Sequence, residues 1–153
     1  IWERPDGRHG GSMRLLPTTG ATMIQDHFAT LLPRGGVAGP KVWECTRFCT
    51  APDAAPNVSA ALMLGVLEFG LGLGLSHLAG VFDARMVPVY RRLGWSPRVL
   101  GRTEPGRRGI CAGLWSIDRD VRPTLLRKAG VSGAVAGHWF RRGFGKPGLV
   151  LAA

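Results

Sequence analysis

Two charged side chains inside a strand-like segment are the first residues of this sequence that could do chemistry. Glu44 and Arg47 stand in residues 41–50, among apolar residues such as Trp43 and Phe48. A regular strand places Glu44 and Arg47 on opposite faces, whereas a bulge places them on one face. A charge in a hydrophobic strand is costly unless it is paired or used. This segment is therefore the first place to look for a functional site.

A third charged residue, Arg14, precedes this segment by a strand–helix–strand excursion. If the strands that carry Arg14 and Glu44 are neighbours, Arg14, Glu44 and Arg47 could form one buried network. Two interpretations of such a network remain open, because ion networks without chemistry also perturb ionisable groups. The three residues predict either a reaction site or a purely structural Arg–Glu–Arg network.

The elements that must position these residues follow from periodicity and turn signals. Residues 1–3 resemble the end of a strand. The later strands are predicted over 11–16, 41–50, 77–82, 96–101 and 110–117. The helices are predicted over 21–32, 57–74, 86–93 and 121–129. The helix over 57–74 is apolar almost all round, which predicts an interior position. This order predicts an α/β or α+β fold, a mixed sheet with helices on both faces. Residues 131–153 are rich in glycine and arginine and are expected to be poorly ordered or loosely packed.

Composition narrows the class of protein. The 153 residues, 45% of them hydrophobic, suffice for one domain with a core. The formal net charge of +10 favours an acidic partner, although a codon bias toward arginine explains it equally well. The cysteines and histidines do not form a metal-binding pattern, and small buried thiols suit a reducing compartment. The longest apolar run is too short and too broken to cross a bilayer. The prediction is a soluble cytoplasmic protein without a metal.

Two separated motifs point to a known family. The first is Arg14-Leu15-Leu16-Pro17-Thr18 before a predicted helix, and the second is Trp43-Glu44-x-x-Arg47-Phe48. At these motifs the sequence resembles the acyl-homoserine-lactone synthases, the autoinducer synthases of bacterial quorum sensing. The resemblance covers roughly residues 1–130 and implies a GNAT-like fold, similar to the GCN5-related N-acetyltransferases. It implies that the strand over 41–50 and the strand over 77–82 splay apart to receive the acyl donor.

The resemblance also implies a reaction and roles for residues. The amine of S-adenosylmethionine, a substrate and not a cofactor, attacks an acyl thioester on an acyl carrier protein. Its carboxylate then closes the lactone, and methylthioadenosine leaves. Glu44 is the implied base for the amine, since an ammonium is not nucleophilic. Arg14 and Arg47 are the implied partners of Glu44 and of the substrate carboxylate, for which a guanidinium suits bidentate contact.

The acyl chain needs an apolar tunnel, and its walls are harder to assign. Met63 and Phe82 are candidate walls, together with Leu67 and Leu114, although a core needs such residues anyway. Ser116 falls where the family places a residue that senses substitution at the third carbon of the acyl chain. An arginine-rich surface is expected to dock the acidic carrier protein, with a merely solvated surface as the alternative; its members are Arg91, Arg92, Arg98, Arg102, Arg107 and Arg108.

Three further expectations qualify this hypothesis. The family carries an N-terminal region that encloses S-adenosylmethionine, and this sequence has no counterpart of it, so a chain complete as given is expected to have little activity. A general N-acyltransferase that uses acyl-CoA is the rival enzyme, although no Arg/Gln-x-x-Gly-x-Gly/Ala pyrophosphate loop precedes a helix. A basic nucleic-acid-binding module is the rival from another class, but no binding motif accompanies the arginines.

Overall fold

Strands and helices follow one another in nearly the predicted order. The computed structural model describes residues 1–106 and 108–145, and six strands and five helices lie in these ranges. The strands are β1 (Trp2–Glu3), β2 (His9–Pro17), β3 (Val42–Thr50), β4 (His77–Asp83), β5 (Arg98–Arg102) and β6 (Ile110–Ser116). The helices are α1 (Met23–Phe28), α2 (Val58–Gly72), α3 (Val87–Leu93), α4 (Arg122–Ala129) and α5 (Gly133–Phe144), with short 3-10 turns at Ala29–Leu31, Ala84–Met86 and Arg119–Val121.

The strands form a mixed sheet in the order β1-β2-β3-β4-β6-β5. Strand β3 pairs in parallel with β4, whereas β1 with β2, β4 with β6 and β5 with β6 are antiparallel. The predicted fold class, a mixed sheet with helices, is confirmed. The predicted helix over 21–32 is shorter than expected, since α1 ends at Phe28 and a 3-10 turn follows.

The chain divides into two units. The first contains Ile1–Met13, Arg47–Gly74 and the segment that starts at Ile117, and the second contains Arg14–Thr46 and Leu75–Ser116. The boundaries at residues 13 and 46 fall inside β2 and β3, so each unit holds part of these strands. The units are described separately below. The division at residue 130 that the sequence suggested remains a prediction.

The core of the first unit is built around α2. This helix is apolar on almost every side, and most of its side chains are buried, as the sequence predicted. It packs against α4 and α5. Gly72 makes the close approach of α5 possible, because a Cβ at this position would overlap the ring of Phe140. Ion pairing of Arg122 with Glu68 at 2.6 Å adds a polar contact between α4 and α2.

Helix α5 corrects the expectation that residues 131–153 are poorly ordered or loosely packed. Residues 133–144 are helical, and Ala136 and Phe140 are buried. Ser132 caps the helix, since its hydroxyl accepts a hydrogen bond from the Val135 amide at 3.3 Å. The prediction was wrong because it rested on the glycine content of the segment. Ala136 and Phe140, spaced i, i+4, form a buried stripe that packs the helix in spite of these glycines. Residues 146–153 of the predicted tail lie outside the described residues.

The second unit packs α1 on its part of the sheet. Its apolar core includes Ile24 and Leu31, together with Ala79 of β4 and Ala112 of β6. Gly101 of β5 lets the backbone of Leu31 approach, since any Cβ there would overlap the Leu31 carbonyl group. This packing fixes the first turn of α1 relative to the sheet.

Candidate functional site

Glu44 is the most buried charged residue that the structure describes. Its side chain is 0% exposed, on the same face of β3 as the buried Thr46. Its Oε1 accepts a hydrogen bond from the Ile24 amide at 2.6 Å, and its Oε2 accepts one from the Met23 amide at 3.1 Å. The first amides of a helix have no partner within the helix. Glu44 therefore caps α1 from a strand that lies about twenty residues further along the chain.

Thr18 ties the end of β2 to the same region. Thr18 is 1% exposed. Its hydroxyl lies 2.7 Å from the Val42 carbonyl oxygen and 3.1 Å from the Gly39 carbonyl oxygen, and it accepts a hydrogen bond from the Gly39 amide at 3.0 Å. The Thr18 carbonyl accepts a hydrogen bond from the side chain of Gln25 at 3.0 Å. These contacts link the loop before α1, the first turns of α1 and the start of β3, so the position of the α1 N-terminus is fixed from two sides.

Thr22 is the residue at the N-cap of α1, and its backbone is extended. Its hydroxyl is buried, with the residue 2% exposed, and has no hydrogen-bond partner. Among the buried side-chain nitrogen and oxygen atoms of residues 1–106 and 108–145, this hydroxyl is the only one without a hydrogen-bond partner. An N-cap threonine ordinarily accepts an amide of its own helix. Glu44 occupies the amides of Met23 and Ile24 instead.

Arg14 does not join Glu44 in the predicted buried network. The side chain of Arg14 is exposed, and its Nε donates to the Thr46 hydroxyl at 3.1 Å. Arg47, in the first unit, is exposed as well. The prediction of one buried Arg–Glu–Arg network is therefore wrong. The physical reason is that backbone amides, which carry no rotamer entropy, already satisfy both oxygens of Glu44.

Arg47 marks an irregularity in β3. Its φ of 54° lies in the left-handed region, and no other described residue except glycine has a positive φ. For a residue with a side chain, this conformation costs about 1–2 kcal/mol. The alternation of burial also ends here, since Glu44 and Thr46 are buried, whereas residues 48–50 are half-buried or exposed. The sequence left open whether Glu44 and Arg47 lie on the same face of the strand. In the structure Glu44 is buried and Arg47 is exposed, and the regular alternation of burial along β3 ends between them.

Phe82, Ser116 and Met63, the predicted acyl-binding residues, lie in three different surroundings. Phe82 is buried in an aromatic cluster with Tyr90 and Trp115, with ring centroids 5.1–5.4 Å apart in edge-to-face geometry. Ser116 is exposed, and its carbonyl accepts the Trp95 indole N–H at 3.0 Å. Met63 is buried in α2. Phe82 and Ser116 belong to the second unit, as Glu44 and Arg14 do, whereas Met63 and Arg47 belong to the first.

Two ionisable groups that were not among the predicted site residues, Cys45 and Tyr90, adjoin predicted residues of the second unit. Burial, together with the smaller effect of the neighbouring charge of Glu44, raises the pKa of the Cys45 thiol to about 12. Burial likewise raises the pKa of Tyr90 to about 12, with a smaller effect from Cys45. Both groups are therefore neutral at pH 7. Tyr90 is the only tyrosine in the sequence, which was the one available signal.

The pairing of β3 with β4 is short. It joins Val42–Cys45 to His77–Gly80, and β4 then continues to Asp83 with partners in β6. The ring of Trp115 lies over Gly80 of β4, and the ring of Phe82 lies over Gly113 of β6. A Cβ at either glycine would contact the ring. The second unit therefore carries an aromatic cluster next to the end of the parallel ladder.

The first unit has a separate cavity of about 420 Å³, lined by Trp2, Arg4, Asp53 and Val58 among others. The Arg4 guanidinium donates two hydrogen bonds to the Asp53 carboxylate, at 2.7 and 2.5 Å. None of the predicted site residues lines this cavity. In the part of the chain that the structure describes, no group of histidine, cysteine and acidic side chains could hold a metal ion, and no helix is long and apolar enough to cross a membrane.

Comparisons with known sequences point to one family. The family described as Autoinducer synthase matches residues 4–124. An acyl-homoserine-lactone synthase of Rhizobium etli is 40% identical, and the match covers 82% of this chain and 62% of that protein. The chain thus spans about three fifths of the length of this relative.

Solved structures with the same fold include two enzymes described as CoA-dependent acyl-homoserine lactone synthases. MesI is 28% identical, with a TM-score of 0.73, over 87% of this chain and 69% of that chain. BjaI, solved with S-adenosylmethionine and isopentyl-CoA, is 23% identical, with a TM-score of 0.72, over 86% of this chain and 73% of that chain. The likeness to BjaI concerns the fold alone.

Proposed function

The chain belongs to the autoinducer synthase family, and from this membership we propose that the protein carrying it makes an acyl-homoserine lactone. The substrates are S-adenosylmethionine and an acyl thioester. The observation that carries the proposal is the family match over residues 4–124, which includes Arg14, Glu44 and Arg47. Quorum sensing is the process that such a product serves.

The proposed reaction has two steps. The ammonium of S-adenosylmethionine gives a proton to a base, and the amine nitrogen attacks the thioester carbonyl carbon. The carbon–sulfur bond breaks, the thiol leaves with a proton, and an amide remains. The carboxylate oxygen then attacks the carbon next to the sulfonium and closes the lactone, while methylthioadenosine leaves with the bonding electron pair.

Glu44 is the proposed acceptor of the amine proton. Its carboxylate is the one acidic side chain that is fully buried among the described residues, and two backbone amides hold it in a fixed orientation. A fixed base is an effective one, because proton transfer needs correct geometry before anything else. Since Glu44 is 0% exposed, the proton must reach it through a hydrogen-bonded neighbour or after a local opening.

Arg14 and Arg47 are the proposed ligands of the substrate carboxylate. Both side chains are exposed and so are available to an incoming anion. The contact of Arg14 with Thr46 uses only its Nε, which leaves the terminal nitrogens of the guanidinium for a substrate. A guanidinium suits a carboxylate because two parallel N–H bonds can form.

Phe82, Ser116 and Met63 remain the proposed acyl-binding residues. The buried aromatic cluster around Phe82 is the kind of apolar environment that an acyl chain needs, and the exposed Ser116 offers a hydroxyl to a substituted acyl chain. Met63 is fully accounted for by the core of α2, so its assignment rests on the family resemblance alone.

The proposed acyl donor is an acyl carrier protein. Five exposed arginines of the second unit support a docking surface for an acidic protein, namely Arg91, Arg92, Arg98, Arg102 and Arg108; Arg107, the sixth predicted member, lies outside the described residues. Acyl-CoA is the second candidate, because MesI is described as CoA-dependent. The cytoplasm is the proposed location, since Cys49 and Cys111 carry free thiols.

The test uses the natural protein that carries this sequence. It is incubated with S-adenosylmethionine and with an acyl group carried either by acyl carrier protein or by coenzyme A, and the release of methylthioadenosine is followed. We expect release with the carrier-protein donor, and inhibition by salt because the docking is electrostatic. Release only with acyl-CoA, independent of salt, would support the second candidate. The absence of release with both donors would contradict the proposed function.

A further inference from the structure

The buried hydroxyl of Thr22 has no structural use in the described part of the chain. The residue is 2% exposed, and its hydroxyl has no hydrogen-bond partner. It precedes Met23, whose amide donates to Glu44 Oε2 at 3.1 Å. A buried hydroxyl without a partner therefore stands one residue before an amide that binds Glu44, the proposed base.

An unsatisfied buried hydroxyl is unfavourable. Desolvation of such a group costs about 1–3 kcal/mol when no hydrogen bond replaces water. Valine has the same shape without this penalty, and the extended backbone of residue 22 suits a β-branched residue. Each unsatisfied group of this kind needs an explanation, such as a ligand, a water molecule or a role in chemistry.

Poor packing is not the explanation. Thr18 lies four residues earlier along the chain, is almost equally buried, and has both its hydroxyl and its carbonyl in hydrogen bonds. Glu44 also has both oxygens satisfied. The region is thus well ordered in its polar contacts, and the hydroxyl of Thr22 is the single exception.

We propose that Thr22 is a catalytic residue that relays a proton from the reacting ammonium to Glu44. This inference rests on the proposed function. A hydroxyl can accept one hydrogen bond while it donates another. Because the Thr22 hydroxyl makes no direct hydrogen bond to Glu44, the proposed transfer includes one linking water molecule between the two groups.

The proton balance of this transfer is simple. The Thr22 hydroxyl accepts a proton from the reacting ammonium and gives its own proton to the linking water molecule. The water molecule in turn gives one proton to the Glu44 carboxylate. The hydroxyl and the water molecule end unchanged, Glu44 gains the proton, and the free amine is left to attack the thioester.

The test compares three variants of the natural protein, Thr22→Val, Thr22→Ser and Thr18→Val. We expect Thr22→Val to keep or raise the midpoint of thermal unfolding, because it removes no hydrogen bond of the fold. Its kcat for methylthioadenosine release should fall about ten- to hundredfold, the equivalent of one hydrogen bond to a charged group. The KM for S-adenosylmethionine should change much less, and Thr22→Ser should restore most of kcat.

Thr18→Val is the matched control for stability. The same change of residue type removes several hydrogen bonds there, so its midpoint of unfolding should fall. The inference is overturned if Thr22→Val is as active as the wild type, if it unfolds at a lower temperature, or if Thr22→Ser fails to restore kcat. An inactive wild type would instead contradict the proposed function, and the inference would fall with it.

Discussion

The two units of this chain bury different kinds of side chain. In the first unit the buried side chains are apolar, and α2 contributes most of them. The second unit buries three threonines and one glutamate among its apolar side chains, namely Thr18, Thr22, Thr46 and Glu44. Within the described ranges, no other threonine, serine, amide or charged side chain is buried. Both units therefore have an apolar core, and the second unit adds specific hydrogen bonds of buried polar side chains to it.

This difference separates stability from chemistry. Apolar cores tolerate changes that keep their volume, because dispersion and the hydrophobic effect have little directionality. A buried carboxylate tolerates almost no change, because each lost partner leaves a polar group unsatisfied. Substitutions of the buried polar residues in the second unit should therefore lower the proposed activity, whereas those in the core of the first unit, apart from the proposed acyl-binding residue Met63, should affect stability alone.

The largest effect is expected for Glu44→Ala. This variant leaves the amides of Met23 and Ile24 without acceptors, at about 1–3 kcal/mol each. It should destabilise the fold in urea unfolding and abolish methylthioadenosine release, since no base remains. The control is Glu44→Gln, which keeps one acceptor oxygen and should retain more stability without regaining activity. Release that continues in folded Glu44→Gln protein would exclude Glu44 as the base.

A smaller effect, on stability alone, is expected for Leu64→Ala in the first unit. Leu64 is fully buried in α2, and such substitutions cost about 2–5 kcal/mol through lost burial and the cavity that remains. The activity per folded molecule should match the wild type. Leu64→Met, which nearly conserves volume, should cost less than about 1.5 kcal/mol. A selective loss of activity in folded Leu64→Ala protein would break the distinction between the units.

The smallest effect concerns the pair of Arg4 and Asp53. Hydrogen bonding by Arg4 lowers the pKa of Asp53 from an ordinary 3.8 to about 2. Because the folded-state pKa is depressed, the stabilising contribution of the pair is present above the ordinary pKa of 3.8 and is lost as the pH falls towards 2. At neutral pH the pair should contribute little, as exposed ion pairs do.

Carbon NMR of the Asp53 carboxyl group measures this pKa directly. Arg4→Gln should return the pKa of Asp53 towards 3.8. Asp83 is the internal control, because Arg85 lowers its pKa to about 2 by the same kind of contact. Its titration should not change in Arg4→Gln. A pKa of Asp53 that stays near 2 in this variant would show that Arg4 is not the cause.

Much of the fold could be predicted from the sequence. The order of strands and helices, the interior position of α2 and the mixed sheet follow from local periodicity and turn residues, and the structure confirms them. Helix α5 was missed because glycine and arginine obscured a two-residue buried stripe. The site residues stay predictions, and only their surroundings are now defined.

The sequence by itself determined that Glu44 stands in an apolar strand, where a charge must be paired or used, and that Arg14 and Arg47 each stand in one of the two family motifs. Only the tertiary structure decided what satisfies Glu44, because the amides of Met23 and Ile24 reach it through packing across about twenty residues of chain. The structure also decided that both arginines are exposed and that the hydroxyl of Thr22 is buried without a partner. The sequence gives the type of each residue and its local neighbours, whereas the burial of a side chain and its hydrogen-bond partners depend on which distant segments pack together.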